Sequence, residues 1–208
     1  VSRKDGAIDM PAGPSEVVVI ADESAYPAFI AADFLSQAEH GVDSQAMLVT
    51  ASESIVEPIM QAIREQLDRL PRKEITEKSL SHSRLIVLKD KQEVIDFTNL
   101  YAPEHLIIQT TDYADIAGQV ENAGSVFMGS YTPESAGDYA SGTNHTMPTT
   151  GYAKAYSGVN LDSVIKKITF QEITADGIRL LGGTIRTMAA NEQLDAHKKA
   201  ETIRLNTL

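Results

Sequence analysis

Cysteine is absent from the 208 residues. Disulfides and thiolate metal sites are therefore excluded, although the compartment is not fixed by that alone. Basic residues are scarce: 18 Lys and Arg stand against 29 Asp and Glu, for a net charge of −11. Nucleic acid and anionic membrane surfaces demand clustered Lys and Arg, so neither is expected as the main partner. Long apolar runs are missing too. The Val17–Ala21 run is far below the roughly 18 residues that a membrane span needs. No signal-peptide pattern is visible, and a cytoplasmic location is expected. The chain opens on Val1 instead of Met, which fits an excised fragment or a cleaved product. Generic catalytic signatures are also lacking: no GxGxxG follows a strand, and there is no P-loop, HExxH or GxSxG. The turn "PAGPSE" (11–16) is weak as a phosphate loop.

What remains is ordinary globular material, 42% hydrophobic and 23% charged. It is enough for one large domain, or one domain with an appendage. Through the first three quarters, strand and helix signals alternate. "SEVVVIAD" (15–22) is a short β-branched apolar run, the pattern of a strand buried on both faces. A helix is expected over 23–40, capped by Asp22 or Ser24 and stopped by Gly41. Further strands are expected at 45–51, 83–90, 105–110 and 124–129. Helices are expected from Ser52 to before Pro71, at 91–101 and at about 113–121. Such alternation implies an α/β fold with a mostly parallel, Rossmann-like sheet covered by helices. Ligands in such folds sit outside the carboxyl ends of the strands. The stretch "PESAGDYASGTNHTMP" (133–148) has no apolar periodicity and reads as a loop, and loops of this length are usually functional or disordered. The "SVIKKITFQEIT" segment (163–174) is compatible with strand or helix. From Thr174 the pattern is helical, weakened at Gly182-Gly183, with Asn191 as the N-cap of a last helix. This tail is too small to bury a core of its own, so it must pack on the main domain or on a second chain. The expected division is an α/β domain over 1–159 and a helical tail over 160–208.

Five histidines are present. His82 has no acidic or amide neighbour and reads as surface. Gln37 and His40 are three apart at a helix end, so both can reach one ion; alternatively, His40 complements the helix dipole in solvent. Glu104 and His105 lie between a proline turn and a strand. They form an acid/base pair if both lie in the loop before the strand, and a polar turn otherwise. In the 133–148 stretch Asp138 can ligate a metal, and His145 can ligate, bind substrate or cap a turn. Gly137 and Gly142 permit positive φ and close backbone approach there. Glu192 and His197 are five apart on the last helix, a spacing that does not share a face well, and His197 alone reads as surface.

As a set, "MPAGPSEVVVIAD", "DFLSQAEHG", "NLYAPEHLIIQT", "NAGSVFMG", "PESAGDYASGTNHTMPT" and "NEQLDAHKKA" resemble the C-terminal half of the histidinol dehydrogenase family, over essentially the whole chain. The resemblance implies oxidation of L-histidinol to L-histidine through an aldehyde, with two NAD-dependent hydride transfers. It implies zinc held by Gln37, His40, Asp138 and His197, positioning the substrate. His105 would take the alcohol proton and Glu104 would activate the water that adds to the aldehyde. Ser15, His145 and Glu192 match substrate-contact positions. The tail would reach across a homodimer, so that Glu192 and His197 complete the partner's site. The family's NAD contacts come largely from the other, N-terminal half, so no cofactor-binding residue is assigned here. A chain without that half is expected to be weak or inactive by itself. A second reading is a non-catalytic module that binds zinc or imidazole.

Overall fold

The structure, a computed structural model, describes residues 10–208. Its centre is a five-stranded sheet of β1 (Glu16–Ala21), β2 (Gln45–Thr50), β3 (Arg84–Val87), β4 (His105–Gln109) and β5 (Ser125–Met128). The strand order is β3-β2-β1-β4-β5, and every pairing is parallel. Every residue of β1 and β4 is buried, as the β-branched runs require of central strands covered on both faces.

Alternation along β1 builds two cores. Val17, Val19 and Ala21 point to one face, where they meet Ile30 and Phe34 of α1 (Pro27–Ala38) and Ile59 of α2 (Val56–Leu67). Leu80 of α3 (Lys73–Leu80), a helix the sequence reading did not foresee, packs on the same cluster. Val18 and Ile20 point to the other face. There they meet Val94 and Ile95 of α4 (Lys91–Tyr101) and Ile116 of α5 (Tyr113–Ala117). The chain order reverses between β1 and β4, so α1, α2 and α3 cover one face while α4 and α5 cover the other.

Several local expectations are corrected. Helix α1 starts at Pro27, which occupies the first turn, so Tyr26 is the N-cap and no side chain caps it. Asp22 instead ties two loops together, accepting from Ser24 N–H and from the Thr111 N–H and hydroxyl. Gly41 is not a left-handed stop, because α1 ends at Glu39 in right-handed geometry. The 133–148 stretch does contain a helix, α6 (Glu134–Tyr139). After α7 (Leu161–Val164) the undecided segment is irregular up to Thr174, whose hydroxyl accepts from Gly177 N–H and caps α8 (Ala175–Asn191). Asn191 ends α8, and Leu194 is the residue before α9 (Asp195–Asn206).

The chain divides into two compact units, Val1–Ile165 and Lys166–Leu208. Within the second, Gly182 explains itself: a Cβ there would lie 2.0 Å from Glu201 Oε1, so glycine lets α9 lie close against α8. Arg186 Nε sits 3.4 Å from the nearly buried Glu201 carboxylate. Phe170, Leu180 and Met188 of this unit are exposed. Among the described residues no helix is long and apolar enough to cross a membrane.

Candidate functional site

A helix that follows a parallel strand runs back antiparallel to it, so its C-terminal end returns to the amino edge of the sheet. That is where α1 delivers Gln37 and His40, and where β4 begins with His105. An open cleft of about 270 Å³ forms there, lined by Ser15, His40, Glu104, His105, Asp138 and His145 among others. The expectation of a site outside the carboxyl ends is thus corrected. A second cleft does lie at the carboxyl ends of β1 and β4, lined by Asp22, Ser52, Lys91 and Asp112, but it contains none of the expected residues.

Glu104 and His105 are buried, at 5% and 3% exposure. His105 is the first residue of β4 rather than part of the preceding loop. Both nevertheless reach one place, because Glu104 folds back onto the start of β1. Its Oε2 accepts from the Ser15 hydroxyl at 2.6 Å and from Glu16 N–H at 3.0 Å. His105 Nδ1 is 3.1 Å from the Glu16 carbonyl and 3.5 Å from Glu104 Oε2. Both neighbours are acceptors, so Nδ1 carries the hydrogen and Nε2 presents its lone pair. Among the described residues Nε2 has no hydrogen-bond partner, and a carboxyl oxygen of Glu134, Oε1, lies 4.0 Å away. Burial holds the imidazole below its ordinary pKa, so it is neutral and competent as a base.

Glu134 was missed from the sequence. It is 1% exposed on the first residue of α6, one turn before Asp138, and that four-residue spacing was the available signal. Burial pushes its carboxyl up to about 9, with the charges of Asp138, Glu104 and Asp33 adding to the effect. Glu104 is pushed up to about 7, again mainly by burial, against the lowering effect of its bonds from Ser15 and Glu16. Gathering carboxylates in a buried place is unfavourable unless they are neutral or face a cation.

A cation fits. Ligand atoms of His40, Glu134 and Asp138 all lie within 4.8 Å of one another. Gln37, one turn before His40, is fully buried with neither amide atom hydrogen-bonded. An unpaired buried amide is costly, and ligation through Oε1 would satisfy its oxygen. The donors are nitrogen and oxygen only, a set suited to a borderline divalent ion. His145 lines the cleft and is exposed. Gly137 has another reason than close approach to an ion, since a Cβ there would meet the Phe127 ring at 2.7 Å. Glu192 and His197 belong to the second unit and are exposed. His82 is exposed, as expected.

Asp33 lies one turn before Gln37 on α1 and accepts from Gln109 Nε2 at 3.0 Å. Burial pushes it up to about 7, tempered by that bond. A carboxyl raised above its ordinary 3.8 binds its proton more tightly when folded, so it costs stability as pH climbs between those values. Asp33→Asn should therefore stabilise more at pH ~8 than at pH ~4, by up to about 4 kcal/mol. Thermal melts at both values check this. Equal shifts would mean that the carboxylate ionises in the fold at its ordinary value.

The model of the family described as histidinol dehydrogenase matches residues 1–205. Histidinol dehydrogenase of Bacteroides thetaiotaomicron is 65% identical over the whole chain, which covers 49% of that protein. The chloroplastic histidinol dehydrogenase of Arabidopsis thaliana is 57% identical over 97% of the chain, which covers 44% of that protein. The crystal structure of histidinol dehydrogenase from Elizabethkingia anophelis superposes with a TM-score of 0.94 at 56% identity, over 97% of this chain and 46% of that one. The chain spans about half the length of the curated relatives it matches.

Proposed function

Because the chain belongs to the histidinol dehydrogenase family, we propose that it supplies the acid/base and metal-binding half of an enzyme that oxidises L-histidinol to L-histidine through the aldehyde, with two NAD as hydride acceptors. The observation that carries this reading is the buried Glu104–His105 pair, with Nε2 of His105 unpartnered at the cleft.

In the first oxidation His105 Nε2 takes the proton of the substrate hydroxyl as hydride leaves the carbon that bears it for NAD. Glu104, held by Ser15 and Glu16, then accepts a proton from the water that adds to the aldehyde. Transfer of a second hydride from that hydrate to NAD, with release of its remaining hydroxyl proton, gives the carboxylate. The burial that raises Glu104 also makes it a stronger base than an ordinary carboxylate. When bound, zinc would supply Lewis-acid charge that positions the substrate's imidazole and amino nitrogens. Its ligands are Gln37, His40 and Asp138 here and His197 of the tail. Ser15, His145 and Glu192 contact the substrate. No residue of the cleft is assigned to NAD, which the other half of the enzyme binds. The 160–208 tail dimerises and brings Glu192 and His197 to the partner's site, completing an assembly that works in the cytoplasm. The exposed Phe170, Leu180 and Met188 support such a docking role.

Two measurements test the reading. Histidinol and excess NAD should yield NADH absorbance with a full-length enzyme carrying these residues. No NADH from that protein would favour the non-catalytic zinc- or imidazole-binding module. His40→Ala should lower zinc content by about tenfold or more at limiting metal, since each protein ligand contributes strongly to affinity. Unchanged zinc by elemental analysis would remove His40 from the ligand set.

A further inference from the structure

The first residue of β1 holds both members of the acid/base pair through its backbone. Glu16 N–H donates to Glu104 Oε2 at 3.0 Å, and the Glu16 carbonyl faces His105 Nδ1 at 3.1 Å. The Glu16 side chain is itself fastened at two points. Thr150 N–H donates to Oε1 at 3.0 Å, and the Tyr101 hydroxyl lies 2.9 Å from Oε2 and 2.8 Å from Gln45 Oε1. Both fasteners come from unusual backbone. Thr150 has φ 57, and Tyr101 ends α4 immediately before Ala102 at φ 59. Non-glycine residues in that region persist only when their surroundings hold them, and they cluster where geometry matters.

Nothing about starting a strand calls for a carboxylate that is 7% exposed. A β-branched residue would start β1 without the desolvation cost. We propose that Glu16 is a positioning residue: its clamped side chain fixes the one main-chain unit that orients both Glu104 and His105. This rests on the acid/base reading of that pair. Ser15 sets the other contact to Glu104, so residues 15 and 16 together hold its carboxylate, while the Glu16 carbonyl takes the hydrogen bond of the imidazole.

The clamp, not the charge, is what the geometry requires, and this makes a sharp test possible. In Glu16→Gln the amide oxygen can still accept from Thr150 N–H. Its NH₂ can donate to the Tyr101 hydroxyl, which then donates to Gln45. In Glu16→Ala both fasteners are lost. Steady-state kinetics of a full-length enzyme carrying these residues should show kcat about 10- to 100-fold lower for Glu16→Ala, because small misplacement of reacting groups is costly. KM for histidinol should stay within about threefold, since the metal-side residues are untouched. Glu16→Gln should recover kcat to within about fivefold of the parent. Tyr101→Phe, which removes one fastener, should lower kcat by about 3- to 10-fold.

Parental kcat in Glu16→Ala would overturn the proposal, as would Glu16→Gln being as slow as Glu16→Ala, or a rise in KM alone. Should Glu16→Ala not fold, Tyr101→Phe decides, and parental kcat in that variant overturns the proposal. His105→Asn run in parallel separates the two failures. If that variant stays active, the acid/base reading is lost. If it is inactive while Glu16→Ala is active, only the role of Glu16 is lost.

Discussion

His105→Asn should lower kcat by about 10²- to 10⁴-fold in a full-length enzyme carrying this chain, the usual cost of losing one positioned proton acceptor. Asparagine is the informative replacement. Its side-chain NH₂ can still donate to the Glu16 carbonyl, as Nδ1 does now at 3.1 Å, so the start of β4 need not rearrange. What disappears is Nε2, the buried nitrogen with no partner of its own. Glu104→Ala should fail differently. It removes the acceptor for the Ser15 hydroxyl and Glu16 N–H, as well as the proposed base for aldehyde hydration. The aldehyde supplied as substrate should then be oxidised about 10²- to 10⁴-fold more slowly, while the alcohol step is impaired less. Measuring NADH formation separately from histidinol and from its aldehyde resolves the two roles. Near-parental turnover in either variant counts decisively against the role given to that residue.

Phe34→Ala should cost about 3–5 kcal/mol of folding stability, a large share of the roughly 5–15 kcal/mol typical of a domain. Phe34 is among the largest fully buried side chains, and it packs from α1 into the cluster formed by Val17, Val19, Leu48, Ile59, Ile107 and Phe127. It also stands between Asp33 and Gln37 along the same helix, so the cavity would loosen the element that carries Gln37 and His40. Denaturant unfolding should show a lower midpoint with an unchanged slope. A loss below about 1 kcal/mol would mean that α1 collapses onto the sheet and refills the space.

The sheet was legible because parallel central strands must be apolar on both sides, and "VVVIA" and "LII" could be little else. The bounds of α4 were legible because Asp90 accepts from Glu93 N–H and gives the helix a side-chain cap. Where no side chain capped, the expectations slipped. Helix α1 begins at a proline, and Asn191 stays inside α8 while Leu194 precedes α9. The short helix α6 was invisible because six residues, three of them small, carry no apolar period.

The sequence by itself determined the family, the parallel α/β class and the residue types available for chemistry, because periodicity and ordered motifs are properties of the chain. It could not decide between a surface histidine and a base, or between a polar turn and an acid/base pair. Those outcomes depend on burial and on partners 76 to 89 residues away, such as Gln109 on Asp33 and Ser15 on Glu104. Only the tertiary structure placed the cleft at the amino edge of the sheet, where the return of α1 meets the start of β4. Only it buried Glu134 beside His105, and only it showed one residue, Glu16, whose backbone touches both Glu104 and His105. Burial is what turns these side chains from solvated polar groups into a site. It follows from which surfaces the folded chain brings together, and no local stretch of sequence contains that information.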